Sequence, residues 1–97
     1  MTRKGNIAIL ATLDTKGAEV AAMKGLLGTL GYGATVVDIG PLGPPAIPAE
    51  ISNEEVARLG GWELSDLIRT GERDRIMAAM GKGAGRHLSR LFSEGRI

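Results

Sequence analysis

The sequence lacks cysteine and has only three aromatic residues. Without cysteine, the 97 residues can form no disulfide, thiolate metal site or cysteine nucleophile. Trp62, Tyr32 and Phe92 are too few to form a platform for stacking single-stranded bases. Twelve basic and eleven acidic residues leave a formal net charge of +1, which argues against strong attraction to a nucleic-acid backbone. The composition therefore predicts no nucleic-acid partner.

Long apolar runs are also missing. The stretch before Asp14 is too short for a signal-peptide core or a membrane span, so we expect a soluble, cytoplasmic protein with no membrane partner. His87 is the sole histidine and has no second ligand at metal spacing. We predict no metal site, and we expect His87 to be a partly buried, hydrogen-bonded imidazole.

What is present begins with a buried strand that turns into a helix. Asn6 to Ala11 has no polar alternation, which is typical of a parallel strand covered on both faces. Asp14 or Thr15 can cap the following helix, and Gly31 ends it. Its predicted buried stripe is Val20, Met23, Leu27 and Leu30. Gly25 and Gly28 within the helix predict a close approach to the sheet.

The second strand and three further helices follow. Ala34 to Ile39 is the predicted second strand, and Gly40 to Pro48, with four prolines, predicts a stiff loop at the carboxyl edge of the sheet. Ser52 and Glu55 form a capping box for a helix that ends near Gly60. Helices are also predicted over 63–70 and 72–93. In the last one, Ile76, Met77, Met80, Ala84, Leu88 and Leu91 form the predicted buried stripe, and three glycines at 81, 83 and 85 predict a kink or a tight contact.

These elements predict one α/β domain over residues 1–97. Its class is a Rossmann-like parallel sheet with flanking helices. Two strands with three to four helices make an incomplete sheet, because a stable sheet usually has three strands or more. We therefore expect the amino-terminal part of a larger doubly wound nucleotide-binding domain. The alternative is a domain that pairs its exposed strand edge with another chain, as a homo-oligomer.

The candidate site follows the first strand, because open parallel sheets bind ligands at the carboxyl ends of their strands. Its residues are Thr12, Asp14, Thr15, Lys16 and Gly17. At a helix N-terminus, Lys16 and the amides near Gly17 suit a phosphate. Neither the P-loop nor the G-x-G-x-x-G pattern is present. The alternative is a capped helix with a solvated lysine.

Asp38 and Gly40 end the second strand and complete the candidate site. An acidic residue at this position binds a ribose hydroxyl in dinucleotide folds, and Asp38 could equally face a metal-bound water. Alternatively, Asp38 caps or hydrogen-bonds the proline loop.

Two functions remain open, together with a weaker third. The first is a nucleotide-binding module that takes a nucleotide or another phosphate-bearing small molecule. The second is a non-catalytic interaction or self-association module that uses the strand edge and Trp62. The third is an enzyme for an acidic metabolite whose catalytic groups lie outside these residues. No G-x-S-x-G elbow occurs, so no catalytic residue is assigned.

One stretch also carries a family resemblance. Ala11-Thr12-Leu13-Asp14-Thr15-Lys16-Gly17 resembles the opening of the Tm-one-like ATP-binding domain family, relatives of a plant protein that blocks tobamovirus replication. The likeness continues in Val37-Val-Asp-Ile-Gly40 and in Gly43-Pro-Pro45. This resemblance implies a Rossmann-like nucleotide-binding domain, ATP as the ligand, and Thr12 to Gly17 as the ligand loop.

Overall fold

The fold, described for residues 4–97 by a computed structural model, is a two-stranded parallel sheet with four helices. In chain order the elements are β1 (Gly5–Ala11), α1 (Leu13–Thr29), β2 (Tyr32–Asp38), α2 (Asn53–Leu59), α3 (Leu64–Arg69) and α4 (Arg73–Ser93). The predicted class, an incomplete Rossmann-like α/β domain, is confirmed. None of the helices in this range combines the length and apolar character of a bilayer span.

The sheet register brings the carboxyl ends of both strands together. Pairing runs from Gly5 opposite Tyr32 to Ala11 opposite Asp38. Ile9 and Val36 form a directly opposed pair that packs with α1. Val37, on the other face of the sheet, packs with α2 and α4. The domain therefore has helices on both faces of the sheet, with one apolar cluster on each side.

The outer edge of β2 is partly closed by the segment that leads into α2. Ile51 forms an isolated parallel bridge with Val37. Its carbonyl accepts from the Asp38 amide at 3.0 Å, and its amide donates to the Val36 carbonyl at 3.1 Å. A carboxylate oxygen of Glu50 accepts from the Val36 amide at 3.0 Å. These bonds satisfy main-chain groups of Val36 and Asp38, at the carboxyl half of that edge.

Helix α1 buries a different face from the predicted one. Leu13, Gly17 and Val20 are buried, whereas Met23 and Leu30 are each 50% exposed. The predicted stripe is therefore wrong at these two positions, because Leu13 and Gly17 set the rotation of the helix against the sheet. The prediction for Gly25 and Gly28 is also wrong, since open space surrounds both.

Helices α2 and α4 cross closely on the opposite face. Ser52 and Glu55 form the predicted capping box. A Cβ atom placed on Gly83 would overlap the carbonyl group of Val56, with 2.8 Å to its carbon, so the tight contact predicted for the glycine triplet is confirmed. The buried side of α4 includes Met80, Ala84 and Leu91 as predicted, but Met77 is 61% exposed.

His87 and Trp62 both belong to this α2–α4 side of the domain. His87 is 8% exposed, and its Nε2 lies 3.0 Å from the Glu55 carbonyl oxygen, which confirms the predicted hydrogen-bonded imidazole. Trp62 is partly buried against the same apolar cluster.

Candidate functional site

The turn between β1 and α1 begins at Thr12, which is the N-cap residue of α1. Thr12 has extended φ and ψ and forms no side-chain capping bond. The predicted cap at Asp14 or Thr15 is therefore wrong by two to three positions. The Thr12 carbonyl accepts from the amides of Thr15 at 3.2 Å and Lys16 at 2.8 Å. The hydroxyl oxygens of Thr12 and Thr15 lie 3.1 Å apart, and both Thr15 and Lys16 are exposed.

Asp38 supplies the missing cap from the neighbouring strand. Its side chain is almost fully buried, with the residue 1% exposed. Oδ1 accepts from the Leu13 amide at 3.3 Å and from the Gly40 amide at 2.9 Å. The predicted hydrogen bond between Asp38 and the proline loop is thus confirmed. A carboxylate at a helix N-terminus is favourable, because free amides and the helix dipole attract negative charge. The ribose-binding role of Asp38 stays a prediction.

Gly40 lies in a narrow space among the other site residues. A Cβ atom placed on it would be 3.0 Å from Oδ1 of Asp14, 3.2 Å from Oδ1 of Asp38 and 3.2 Å from the Cα of Thr12. Its carbonyl accepts from Asn53 Nδ2 at 2.9 Å. The fold therefore brings Thr12, Asp14, Asp38 and Gly40 together, around a glycine whose Cβ position is tightly surrounded.

Gly17 and Lys16 differ in burial, since Gly17 is buried and Lys16 is exposed. Gly17 is buried, and a Cβ atom on it would be 2.6 Å from the Cβ of Ala46. The amide of Ala46 donates to the Leu13 carbonyl at 3.0 Å. These two contacts, which we call the proline-loop latch, fix the loop against the first turn of α1. Gly17 therefore serves close packing, while Lys16 stays in solvent.

A groove opens beside the turn and was not predicted from the sequence. It has a volume of about 530 Å³ and lies between the carboxyl end of β1 and helix α4. Thr12 is its polar lining residue. The apolar lining is Leu10, Ile39, Pro41, Ile76, Met77, Met80, Ala84 and Leu88, with Gly81 and Gly85. The sequence did hold a signal for this groove. The apolar stripe of α4 contains more residues than the contact with α2 uses, and the remaining ones line the groove.

The groups at this turn can form hydrogen bonds with a polar ligand. Two hydroxyls and the Lys16 ammonium offer donors, while the carboxylates of Asp14 and Asp38 flank Gly40. Among residues 4–97, no group of three histidine, aspartate or glutamate side chains is arranged to hold a metal ion. The site can hydrogen-bond a polar ligand next to an apolar surface.

The fold and this turn define an incomplete Rossmann-like α/β domain with a candidate site at the carboxyl edge of its sheet. Residues 5–97 match the model of the N-terminal domain of an uncharacterised protein family, UPF0261. The chain belongs to this family.

Curated relatives carry the same family name. A UPF0261 protein of Clostridium tetani is 38% identical over 88 residues, which cover 91% of this chain and 22% of the relative. UPF0261 proteins of Brucella suis and Brucella melitensis are each 27% identical over 96 residues, covering 99% of this chain and 23% of the relative. The chain thus spans less than a quarter of the length of these relatives. No solved structure matches it.

The family match corrects the resemblance drawn from the sequence. Assignment to the Tm-one-like ATP-binding domain family is wrong, because the matching family is UPF0261. The quoted string, Ala11 to Gly17, covers the last residue of β1, the N-cap Thr12 and the first turn of α1, and such a junction between a strand and a helix is common in α/β folds. Any argument that this chain binds a nucleotide must therefore rest on the geometry of the site.

Proposed function

We propose that this chain binds a nucleotide, with the phosphate at the turn between β1 and α1 and the nucleoside in the adjoining groove. The observation that carries the proposal is that Thr12 belongs both to the polar turn and to the apolar groove. Its hydroxyl lies 3.1 Å from that of Thr15 at the start of α1, and the same residue lines the apolar groove. A phosphate-recognising end and an apolar end thus meet at one residue.

The phosphate end is supported by the donors around the first turn of α1. This helix is 17 residues long, so its N-terminus carries a partial positive charge, which the Asp38 carboxylate already offsets. Lys16 adds a full positive charge, and the Asp14 amide forms no hydrogen bond within residues 4–97. The Leu13 amide is already bound to Asp38. The two threonine hydroxyls, Lys16 and the Asp14 amide are therefore the groups that would hold phosphate oxygens.

The nucleoside end is supported by the size and lining of the groove. Small-molecule sites are clefts of about 300–1,000 Å³ with mainly apolar walls and a few polar groups, and this groove has about 530 Å³. Leu10, Ile39 and Pro41 form one wall, and Met77 lies across from them on α4. A flat base would contact these side chains while its phosphate reached the Thr12 hydroxyl.

Calorimetric titration with ATP tests the proposal. Lys16→Ala should weaken binding about tenfold, because removing one charge-assisted contact costs on the order of 1.5 kcal/mol. Lys82→Ala removes another exposed lysine, on α4, and serves as the matched control with affinity unchanged. Asp14→Asn should strengthen the binding of metal-free ATP, because the substitution removes a negative charge next to the phosphate.

Three results would contradict the proposal. The first is the absence of heat and of saturation-transfer signals at millimolar ATP. The second is an equal loss of affinity in Lys16→Ala and Lys82→Ala, which would indicate nonspecific attraction of a polyanion. The third is unchanged binding of metal-free ATP by Asp14→Asn, which would locate the phosphate away from this turn.

A further inference from the structure

We infer that the free edge of β1, together with the neighbouring face of α4, is an acceptor site for one extended apolar segment, which adds to the sheet as a strand parallel to β1. This inference does not rest on nucleotide binding, but it concerns the same groove, and a strand seated there would exclude the nucleoside from it. It concerns what completes the sheet, and it depends on the two edges, the surface of α4 and the position of Arg96 and Ile97.

The two edges of the sheet differ in how their main-chain groups are satisfied. On the outer edge of β2, Ile51 and the Glu50 carboxylate bind main-chain groups of Val36 and Asp38. On β1, the Ala11 carbonyl accepts from the Ile39 amide, and alternate residues of a strand face opposite edges. The amides and carbonyls of Ala8 and Leu10 therefore point away from β2, and no main-chain partner meets them within residues 4–97.

An open edge of this kind is a template for strand addition, because its groups are spaced to pair with another extended chain. The side chains along it are apolar rather than charged. Ile7 and Leu10 are each 37% exposed. The edge thus lacks the charges and prolines with which proteins block unwanted pairing.

Helix α4 carries a second apolar surface above this edge, which we call its outer face. It consists of Met77, Gly81, Gly85, Leu88 and Phe92, spaced three or four residues apart. Met77 is 61% exposed and Phe92 is 75% exposed. This face is distinct from the side that packs on α2.

The two glycines leave a depression in the outer face. Cβ atoms placed on Gly81 and Gly85 would meet no atom within 4 Å, whereas Gly83 contacts Val56 directly. Between this depression and Leu10 lies the apolar groove, with a volume of about 530 Å³. The surface therefore has an apolar floor on the sheet, an apolar roof on the helix and unsatisfied hydrogen-bonding groups along one side. An apolar strand matches all three features.

The end of α4 sets the direction of this strand. Gly95 has φ +70°, and the Arg96 amide donates to the Leu91 carbonyl at 2.8 Å, so the chain turns back at this point. The Arg96 carbonyl accepts from Asn6 Nδ2 at 2.7 Å, and the same Nδ2 donates to the Thr35 hydroxyl at 2.6 Å. A polypeptide running on from Ile97 would enter at the amino end of β1 and run parallel to it.

The occupant most consistent with this geometry is a segment from the polypeptide that follows the N-terminal domain in the longer relatives. The matched region is 22–23% of their length, and strand–helix–strand crossovers in parallel sheets bring the next strand beside its predecessors. A second copy of this chain fits less well. A two-fold axis would pair β1 with its copy antiparallel, against the direction set by Arg96.

Amide hydrogen exchange tests the inference. The chain is extended at Ile97 by about 15 residues, enough for a turn and one strand, taken from directly after the matched region of the Clostridium tetani relative. The amides of Ala8 and Leu10 should exchange about 100-fold more slowly than in the unextended chain, because strand pairing protects them. Amides of Ile7 and Ile9, which face β2, should change far less.

A pair of glycine substitutions provides the matched control. Gly85→Gln fills the depression in the outer face and should remove the added protection at Ala8 and Leu10. Gly28→Gln places the same side chain on α1, also in open space, and should leave the protection intact. A Cβ atom at either position meets no atom within 4 Å, so both variants should fold.

Several outcomes would overturn the inference. Equal protection by a scrambled extension would show nonspecific covering of the edge. Unchanged exchange at Ala8 and Leu10 would show that no strand adds there. Protection of these amides in the unextended chain, with a dimer in sedimentation, would make a second copy the occupant.

Discussion

The three alternate glycines of α4 give the sharpest test of the packing described above. Gly83 faces α2, where a Cβ atom would overlap the Val56 carbonyl group. Gly81 and Gly85 face the open groove, where a Cβ atom meets nothing within 4 Å. Alanine at these positions should therefore change stability with opposite signs, although all three substitutions lie within five residues of one helix.

The magnitudes follow from two opposing effects. Replacing a glycine inside a helix by alanine stabilises by about 0.5–1 kcal/mol through backbone propensity. At Gly83 the methyl group must push α2 and α4 apart, and overpacking of this kind costs about 1–3 kcal/mol or more. Because the overlap is with backbone rather than with a flexible side chain, the upper end applies. We expect Gly83→Ala to lose about 2 kcal/mol net.

Thermal unfolding followed by Trp62 fluorescence is the assay, since Trp62 packs on the same cluster. For a domain of this size, 1 kcal/mol corresponds to about 4–8 °C in Tm. Gly83→Ala should thus melt about 8–16 °C lower, and Gly85→Ala about 2–8 °C higher. A Gly83→Ala variant as stable as the parent would refute the close helix crossing. Destabilisation by Gly85→Ala would refute the open groove.

Three further predictions concern the turn and its surroundings. Ser52→Ala removes half of the capping box and should cost about 1 kcal/mol in urea unfolding, whereas Ser89→Ala, in the middle of α4, should cost far less. Asp38→Ala leaves the amides of Leu13 and Gly40 unpaired and should lose about 2–6 kcal/mol, at about 1–3 kcal/mol for each amide. A loss under about 0.5 kcal/mol, as expected for the exposed Asp66→Ala, would contradict the capping role. Gly17→Ala pushes against Ala46 and should raise the rate of proteolysis within the proline loop, and an unchanged rate would show that the latch does not hold the loop.

The element boundaries could be predicted closely because their start and stop signals are local. Ser52 and Glu55 lie three residues apart and cap each other. Gly31, which was predicted to end the first helix, has φ +92° and lies just after α1. The number of strands and their parallel pairing likewise follow from the apolar runs of β1 and β2 and from the helix between them.

What the sequence could not predict depends on contacts between distant residues. The Asp38 carboxylate caps a helix that begins 25 positions earlier. Ala46, within the proline loop, packs against Gly17 on that helix. The buried face of α1 was ambiguous because apolar residues occur on more than one side, so Leu13 and Gly17 decided its rotation. The groove depends on the position of α4 above β1, which no short motif specifies.

The proline-loop latch also determines from which side the turn can be reached. The loop is bonded to Leu13 and packed against Gly17 through Ala46, so it closes one side of the turn. A ligand would therefore reach Thr12 from the side of α4, whose outer face borders the same groove. If the strand and the small molecule both bind as proposed, they would compete for this groove, and completing the sheet would weaken binding at the turn.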